Sequence, residues 1–246
     1  MSGEEGVQAW QDHQKSGKSA FTQGNYAEAE RSWSLALSDA ENFGENDPRL
    51  VRSLLDLATL YQAQSKYSEA EPLFKRALAI TETVAGHDNP RVAVILNNLG
   101  AVYHAQRQHW DAEAAYRRAL AISINTYGPF HLSVATAFNN LAELCREQGR
   151  YLQAEPMYRY VLAVHEFLDP TSISVAAVLN NLVFLLCARG RYYEAKELLQ
   201  RALTLEKPGT NQPLFESMRK GYELLAKRTD RGVWASLKRL VKPGAK

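Results

Sequence analysis

Apolar residues recur along this chain at helical spacing, and the helical segments come in pairs. Between Pro90 and Ala105, Leu96, Leu99, Gly100 and Tyr103 fall within roughly a 100° arc, the width of a core-facing helix stripe. Val94, Asn98, Ala101 and Ala105 point the other way, with Asn97 on the flank. Upstream the stripe reads Leu54, Leu57, Ala58, Tyr61, and before that, in a weaker copy, His13, Ser16, Gly17, Ala20. Downstream it reads Phe138, Leu141, Ala142, Cys145 and then Leu179, Leu182, Val183, Leu186. A short turn follows each stripe, with Gly24, Ser65, Arg107, Gly149 or Gly190 in the same place. The second helix then carries a ladder of small and large residues. Ala29, Ala70, Ala112, Ala154 and Ala195 are each followed four residues on by Trp33, Phe74, Tyr116, Tyr158 or Leu199. Three residues further sit Ala36, Ala77, Ala119, Val161 and Ala202. Small beside large at that spacing lets two antiparallel helices interlock.

The ladder alanines are 41, 42, 42 and 41 residues apart, and a period of that size marks a solenoid of stacked repeats. The pattern predicts first helices near 9–23, 50–64, 92–106, 134–148 and 175–189. Second helices are predicted near 26–43, 67–84, 109–126, 151–168 and 192–206. A sixth pair near 214–228 and 231–241 departs from the pattern and reads as a terminal cap. The expected division is a disordered tail over 1–8, repeats over 9–47, 48–89, 90–131, 132–173 and 174–207, and capping helices with a basic tail over 208–246. Asp47 before Pro48 and Asn89 before Pro90 are strong helix starts, a capping side chain followed by a residue that needs no backbone N–H. Pro72 and Pro156 sit near the starts of their helices, where a missing N–H costs least.

Composition adds little until it is divided along the chain. The net charge is +2, but residues 219–246 alone sum to +7 and the first 218 to −5. The opening Met1-Ser2-Gly3-Glu4-Glu5-Gly6 has neither a basic region nor an apolar one, so no secretory signal is expected. No apolar run is long enough to span a membrane, so no transmembrane segment is expected either. Cys145 and Cys187 fall one repeat apart in helical patterns and read as reduced core residues of a cytoplasmic protein. The six histidines are dispersed. His104 and His109 straddle a turn, but no Cys or carboxylate completes a zinc set. No phosphate-binding glycine loop, dinucleotide turn or nucleophile elbow occurs. No enzyme activity, cofactor or metal is therefore expected.

The spacing Leu-x-x-Leu-Gly/Ala-x-x-Tyr, followed by Gly-x-Tyr-x-x-Ala, an aromatic and Ala, is similar to the tetratricopeptide repeat. The longer form seen here has Leu96–Gly100, Phe138–Ala142 and Leu179–Leu182 in first helices, and Glu69–Pro72 and Gln153–Pro156 in second helices. Gly86–Val92 lies between repeats. These motifs look like the repeat domain of kinesin light chains over about residues 10–206. No heptad coiled coil precedes them, so a motor subunit is not expected. The resemblance implies an all-α fold, a right-handed α–α superhelix of five helix pairs plus the capping pair, whose first helices line a concave groove.

Residues opposite the core stripe would form the floor of that groove. The candidates are Lys18, Arg52, Asp56, Asn97, Asn98, Asn139, Asn140, Glu143, Arg146, Asn180 and Asn181. An Asn amide both donates and accepts, so it can pair with the C=O and N–H of an extended peptide whatever the peptide's side chains. Asn97, Asn139 and Asn180, one per repeat, would hold the backbone, each bond contributing roughly 1 kcal/mol net. In the resembled family asparagines at these places hold cargo peptides. Lys18, Arg52 and Arg146 would favour acidic side chains. One Asn of each pair could instead bond within or between helices. The carboxylate clamp of co-chaperone tetratricopeptide domains is disfavoured, because Asp56 stands where it would repel a carboxylate.

The expected function is a protein-binding scaffold for an extended, acidic peptide segment, with no nucleic acid partner. Two alternatives stay open. The basic C-terminal pattern around Arg231, Trp234, Leu237 and Lys238 could anchor an anionic membrane or nucleic acid, or simply cap the last repeat. The solenoid ends could also self-assemble. Oligomeric state is not set by the sequence.

Overall fold

Within the residues described by the computed structural model (3–207, 209 and 211–226), the chain forms eleven α-helices and no strand. They are α1 (Gly3–Thr22), α2 (Tyr26–Glu41), α3 (Pro48–Ala63), α4 (Tyr67–Ala85), α5 (Pro90–Ala105) and α6 (His109–Tyr127). Then come α7 (Leu132–Glu147), α8 (Tyr151–Leu168), α9 (Ile173–Ala188), α10 (Tyr192–Leu203) and α11 (Gln212–Ala226). The chain divides into two compact units, Met1–Thr126 and Tyr127–Lys246. The first holds three helix pairs; the second holds two, followed by α11.

The ladder is the core of both units. Ala29, Ala70, Ala112, Ala154 and Ala195 are all fully buried, and so are Phe74 and Tyr158. In the first unit Gly17 and Gly100 let the second helix come close: a Cβ on Gly100 would lie 2.6 Å from Tyr116 Cε1, and one on Gly17 2.5 Å from Trp33 Cδ1. In the second unit α9 is apolar almost all round, with nine buried residues from Val175 to Cys187. Phe215, Met218 and Leu225 of α11 join the same cluster. Cys145 and Cys187 are buried free thiols, and burial pushes Cys187 up to about 12.

Each turn between paired helices closes on a left-handed residue. Gly24, Gly149 and Gly190 have φ near 75°, and Ser65 and Arg107 adopt φ of 60° and 64° in the same place. The residue after each sends its N–H back across the helix end: Lys66 N to Tyr61 O, Gln108 N to Tyr103 O and Arg150 N to Cys145 O are all 2.8 Å. This is the Schellman closure, which satisfies carbonyls the helix leaves open. At the starts, Asp47 caps the N–H of Arg49 and Asn89 that of Arg91, at 2.8 and 2.9 Å. Two further caps carry no proline signal. His131 Nδ1 accepts from Ser133 N at 3.1 Å, and Ser172 Oγ accepts from Ser174 N at 3.2 Å.

Several expectations need correction. The tail expected to be disordered is helical from Gly3, where Glu4 and Glu5 in the first turn complement the helix dipole. Further along α1, Trp10 Nε1 donates to Ser53 Oγ at 2.9 Å and ties the helix to α3. Helices α2 and α10 stop at Glu41 and Leu203, short of the expected 43 and 206. The buried arc of the first helices is wider than one stripe: Ile95 and Val102 are buried beside Leu96 and Leu99, because neighbours cover α5 on more than one side. Met1, Ser2 and the second capping helix with its basic tail, expected over 231–241 and beyond, lie outside the described residues.

Candidate peptide-binding surface

The three Asn-Asn pairs sit on α5, α7 and α9, and all six residues are half-buried. They interrupt a buried row, since Leu96, Leu99, Leu141, Leu179 and Leu182 beside them are each under 5% exposed. The amides therefore stand at the edge of the core, reachable from solvent. Asn97 and Asn140 each have an interaction partner within the chain.

In the first unit, Arg52 and Asp56 are one turn apart on α3, and Arg52 Nε donates to Asp56 Oδ2 at 2.6 Å. Burial pushes the Asp56 carboxyl above its ordinary range, against the pull of Arg52, of a bond from Gln14 and of the Lys18 charge. Lys18 itself is exposed on α1.

The second unit holds a more closely built cluster. Asn139, Glu143 and Arg146 share one face of α7 at i, i+4 and i+7, and Asn180 and Phe184 share one face of α9. Arg146 Nε donates to Glu143 Oε2 at 3.2 Å, and a second guanidinium nitrogen bonds Glu143 Oε1. Tyr158, buried on α8, donates its hydroxyl to Glu143 Oε2 at 2.6 Å. Burial, with the Glu143 charge behind it, pushes the Tyr158 phenol up. The Arg146 guanidinium lies 4.6 Å from the centroid of the Phe184 ring, a cation–π contact that ties α7 to α9. Burial opposes the Arg146 charge, but the bonds to Glu143 outweigh it.

Three cations were expected to attract acidic side chains. Two of them are already bonded to carboxylates of their own helices, which leaves Lys18 as the candidate for that role. The spacing of both pairs, i, i+4 for Arg52 with Asp56 and i, i+3 for Glu143 with Arg146, was the signal that could have shown it. Tyr158 of the ladder and Phe184 of α9 hold the second pair in place. His104 and His109 have ring centroids 6.2 Å apart. Among the described residues no group of three or more His, Cys, Asp or Glu is placed to hold a metal, and no described helix is long and apolar enough to cross a membrane.

Residues 13–83, 56–125 and 91–166 match a family model described as tetratricopeptide repeat, and residues 175–206 match a second model of the same description. No curated protein matches the chain. Among solved structures, BtubC (BKLC) from P. vanneervenii is similar at 24% identity and a TM-score of 0.70, over 80% of this chain and 81% of that one. A Podosopora anserina protein of nearly identical TPR-like repeats, described as a kinesin light chain, is 22% identical with a TM-score of 0.69, over 79% and 93%. A Rap protein complexed with competence and sporulation factor is 18% identical with a TM-score of 0.73, over 96% of this chain and 64% of its own. At these identities the likeness is one of fold.

Proposed function

We propose that this chain, which belongs to the tetratricopeptide repeat family, is a non-enzymatic cytoplasmic scaffold that holds an extended segment of a partner protein against its first helices. The family's fold supports protein–protein interaction in general. The observation carrying the finer reading is the Asn-Asn pair, repeated in one register on α5, α7 and α9 and half-exposed each time between buried leucines. An Asn amide at such an edge brings a donor and an acceptor within reach of a peptide backbone. Asn139 and Asn180 hold the peptide backbone in the second unit, and Asn97 occupies the matching place in the first. The Arg146–Phe184 plate offers a flat, charge-balanced surface beside them, and Lys18 adds a preference for acid.

The test uses a displayed library of extended peptides selected on the wild-type chain. Selected peptides are then titrated against a variant with Asn139 and Asn180 both replaced by Ala. Two lost bonds of roughly 1 kcal/mol each predict an affinity loss of about thirtyfold. Helicity and melting stay as in the wild type. Equal affinity for both proteins refutes the groove reading.

A further inference from the structure

The solvent-facing side of α8 carries large apolar residues that the repeat itself does not require. Leu152 is 74% exposed and Phe167 72%, with Pro156 and Ala163 also exposed between them. These four fall within about 60° on the helix, and the outer two stand about 22 Å apart along it. Phe130, 58% exposed, leans on Phe167 and on Tyr160, at centroid distances of 5.8 and 6.5 Å, and broadens the stripe at one end. The first two repeats serve as internal controls. Ala27 and Asn42 in the first, and Ser68 and Thr83 in the second, occupy the places of Leu152 and Phe167. Asn46, Asp88 and Thr171 occupy the place of Phe130. Those two repeats bury the same alanine–aromatic ladder without apolar groups at these places. In the third and fifth, Trp110 and Tyr193, 87% and 67% exposed, stand where Leu152 does, so what sets the fourth repeat apart is Phe167 and Phe130.

The order of the stripe points to its occupant. Leu152 and Phe167 lie equally far from the midpoint between Arg159 and Tyr160, and Pro156 and Ala163 do the same. A second copy of α8 laid antiparallel therefore sets Leu152 against the second copy's Phe167, and Pro156 against the second copy's Ala163. Both contacts occur twice, as an isologous two-fold interface requires. The small central residues let the two axes approach to about 8–10 Å. Arg159 does not block the centre, because its Nε and a terminal nitrogen donate to Glu155 Oε1 at 3.1 and 2.9 Å along its own helix. The antiparallel arrangement also sets each helix's positive end beside the other's negative end.

The area is of the right size. With roughly 150–250 Å² for a wholly exposed large side chain, the exposed parts of the stripe come to about 500 Å² of apolar surface per copy. A standard interface covers about 800 Å² per partner, a little over half of it apolar. We infer that this face of α8 is the two-fold interface of a homodimer. It is separate from the Asn139 and Asn180 positions on α7 and α9, so its failure would leave the groove reading standing.

Sedimentation equilibrium of the full chain is expected to give twice the 27.6 kDa monomer mass. Leu152→Lys alone and Phe167→Glu alone each sediment as monomers, with helicity unchanged. An equal mixture of the two variants regains the dimer, because Lys then faces Glu at one end and Phe faces Leu at the other. Three results overturn the inference: a wild type monomeric at every concentration, a dimer that survives either single variant, or a mixture that stays monomeric. Capture of the face by phosphatidylserine vesicles or by a foreign protein, with the wild type monomeric, overturns it as well.

Discussion

Replacing Gly100 by Ala sets two opposed effects against each other, and the structure decides which is larger. Alanine is favoured over glycine inside a helix by about 1 kcal/mol, so the change would help an isolated α5. The new methyl, however, would stand 2.6 Å from Tyr116 Cε1, 2.7 Å from Cδ1 and 3.1 Å from Cζ. Tyr116 is only 2% exposed and is locked into the ladder between Ala112 and Ala119, so its ring has nowhere to retreat. Overpacking of this kind costs typically 1–3 kcal/mol, and because the clash here is with a buried ring, the upper part of that range applies. The expected net is a loss of about 1–2 kcal/mol, read as a lower midpoint in urea unfolding followed by circular dichroism with the slope unchanged. Gly6→Ala is the control. Its methyl would meet Phe43 at an ordinary 3.6 Å, so the propensity gain survives and stability stays level or rises by up to about 1 kcal/mol. Trimming the ring with Tyr116→Leu in the Gly100→Ala background should recover part of the loss, a coupling between touching residues. Gly100→Ala as stable as the wild type would refute the close-approach argument, since no other contact of Gly100 could absorb the clash.

Two further substitutions probe the turn and the ion pairs. Arg107→Gly should stabilise by about 0.5–1 kcal/mol, because relief of a left-handed conformation costing an L-residue about 1–2 kcal/mol exceeds the extra unfolded-state freedom of glycine. Thermal melting checks this, and a lower melting temperature counts against it. Asp56→Asn should hold or slightly raise stability at neutral pH, within about 1 kcal/mol, since the pairing with a largely exposed Arg52 offsets little of the cost of burying the Asp56 charge. The sign follows from burial raising the folded-state pKa of Asp56: its charged form penalises the fold above that pKa, and the penalty fades as pH falls through it. Urea midpoints should therefore converge on acidification as the wild type gains on the variant, whereas a wild type more stable than the variant at neutral pH that loses this advantage on acidification would show that Arg52 outweighs burial.

The ladder was legible because it repeats: small and aromatic residues at fixed spacing name both the helix pairs and their interlocking faces. The caps at Asp47 and Asn89 were legible for the same reason, a familiar side chain before proline. His131 was not, because an imidazole serves as a cap only when its unprotonated Nδ1 turns inward, and here the ring is also stacked on Tyr127 at 4.1 Å. The start of α1 was missed because its anchoring is tertiary, through Trp10 to Ser53. The candidate surface was half legible. Position along the helix showed that the asparagines leave the core stripe, and the spacing of Arg52 to Asp56 and of Glu143 to Arg146 already carried the signal that both arginines would be paired. In Arg146 the decisive partners, Tyr158 behind Glu143 and Phe184 beneath the guanidinium, come from other helices and carry no local signal.

The burial of nine of the sixteen residues of α9 has a consequence for how the second unit opens. Only the face of Ile173, Ala177, Asn180, Asn181 and Phe184 is open to solvent, so α9 cannot lift away without undoing the cluster it shares with α8, α10 and α11, and its amides should exchange with solvent only through concerted unfolding of that unit. Helix α1 has only Gly17 and Ala20 buried among its side-chain positions and can fray on its own at small cost. Stability in this chain is thus graded along its length, and the Asn180–Asn181 pair is mounted on the helix least free to move.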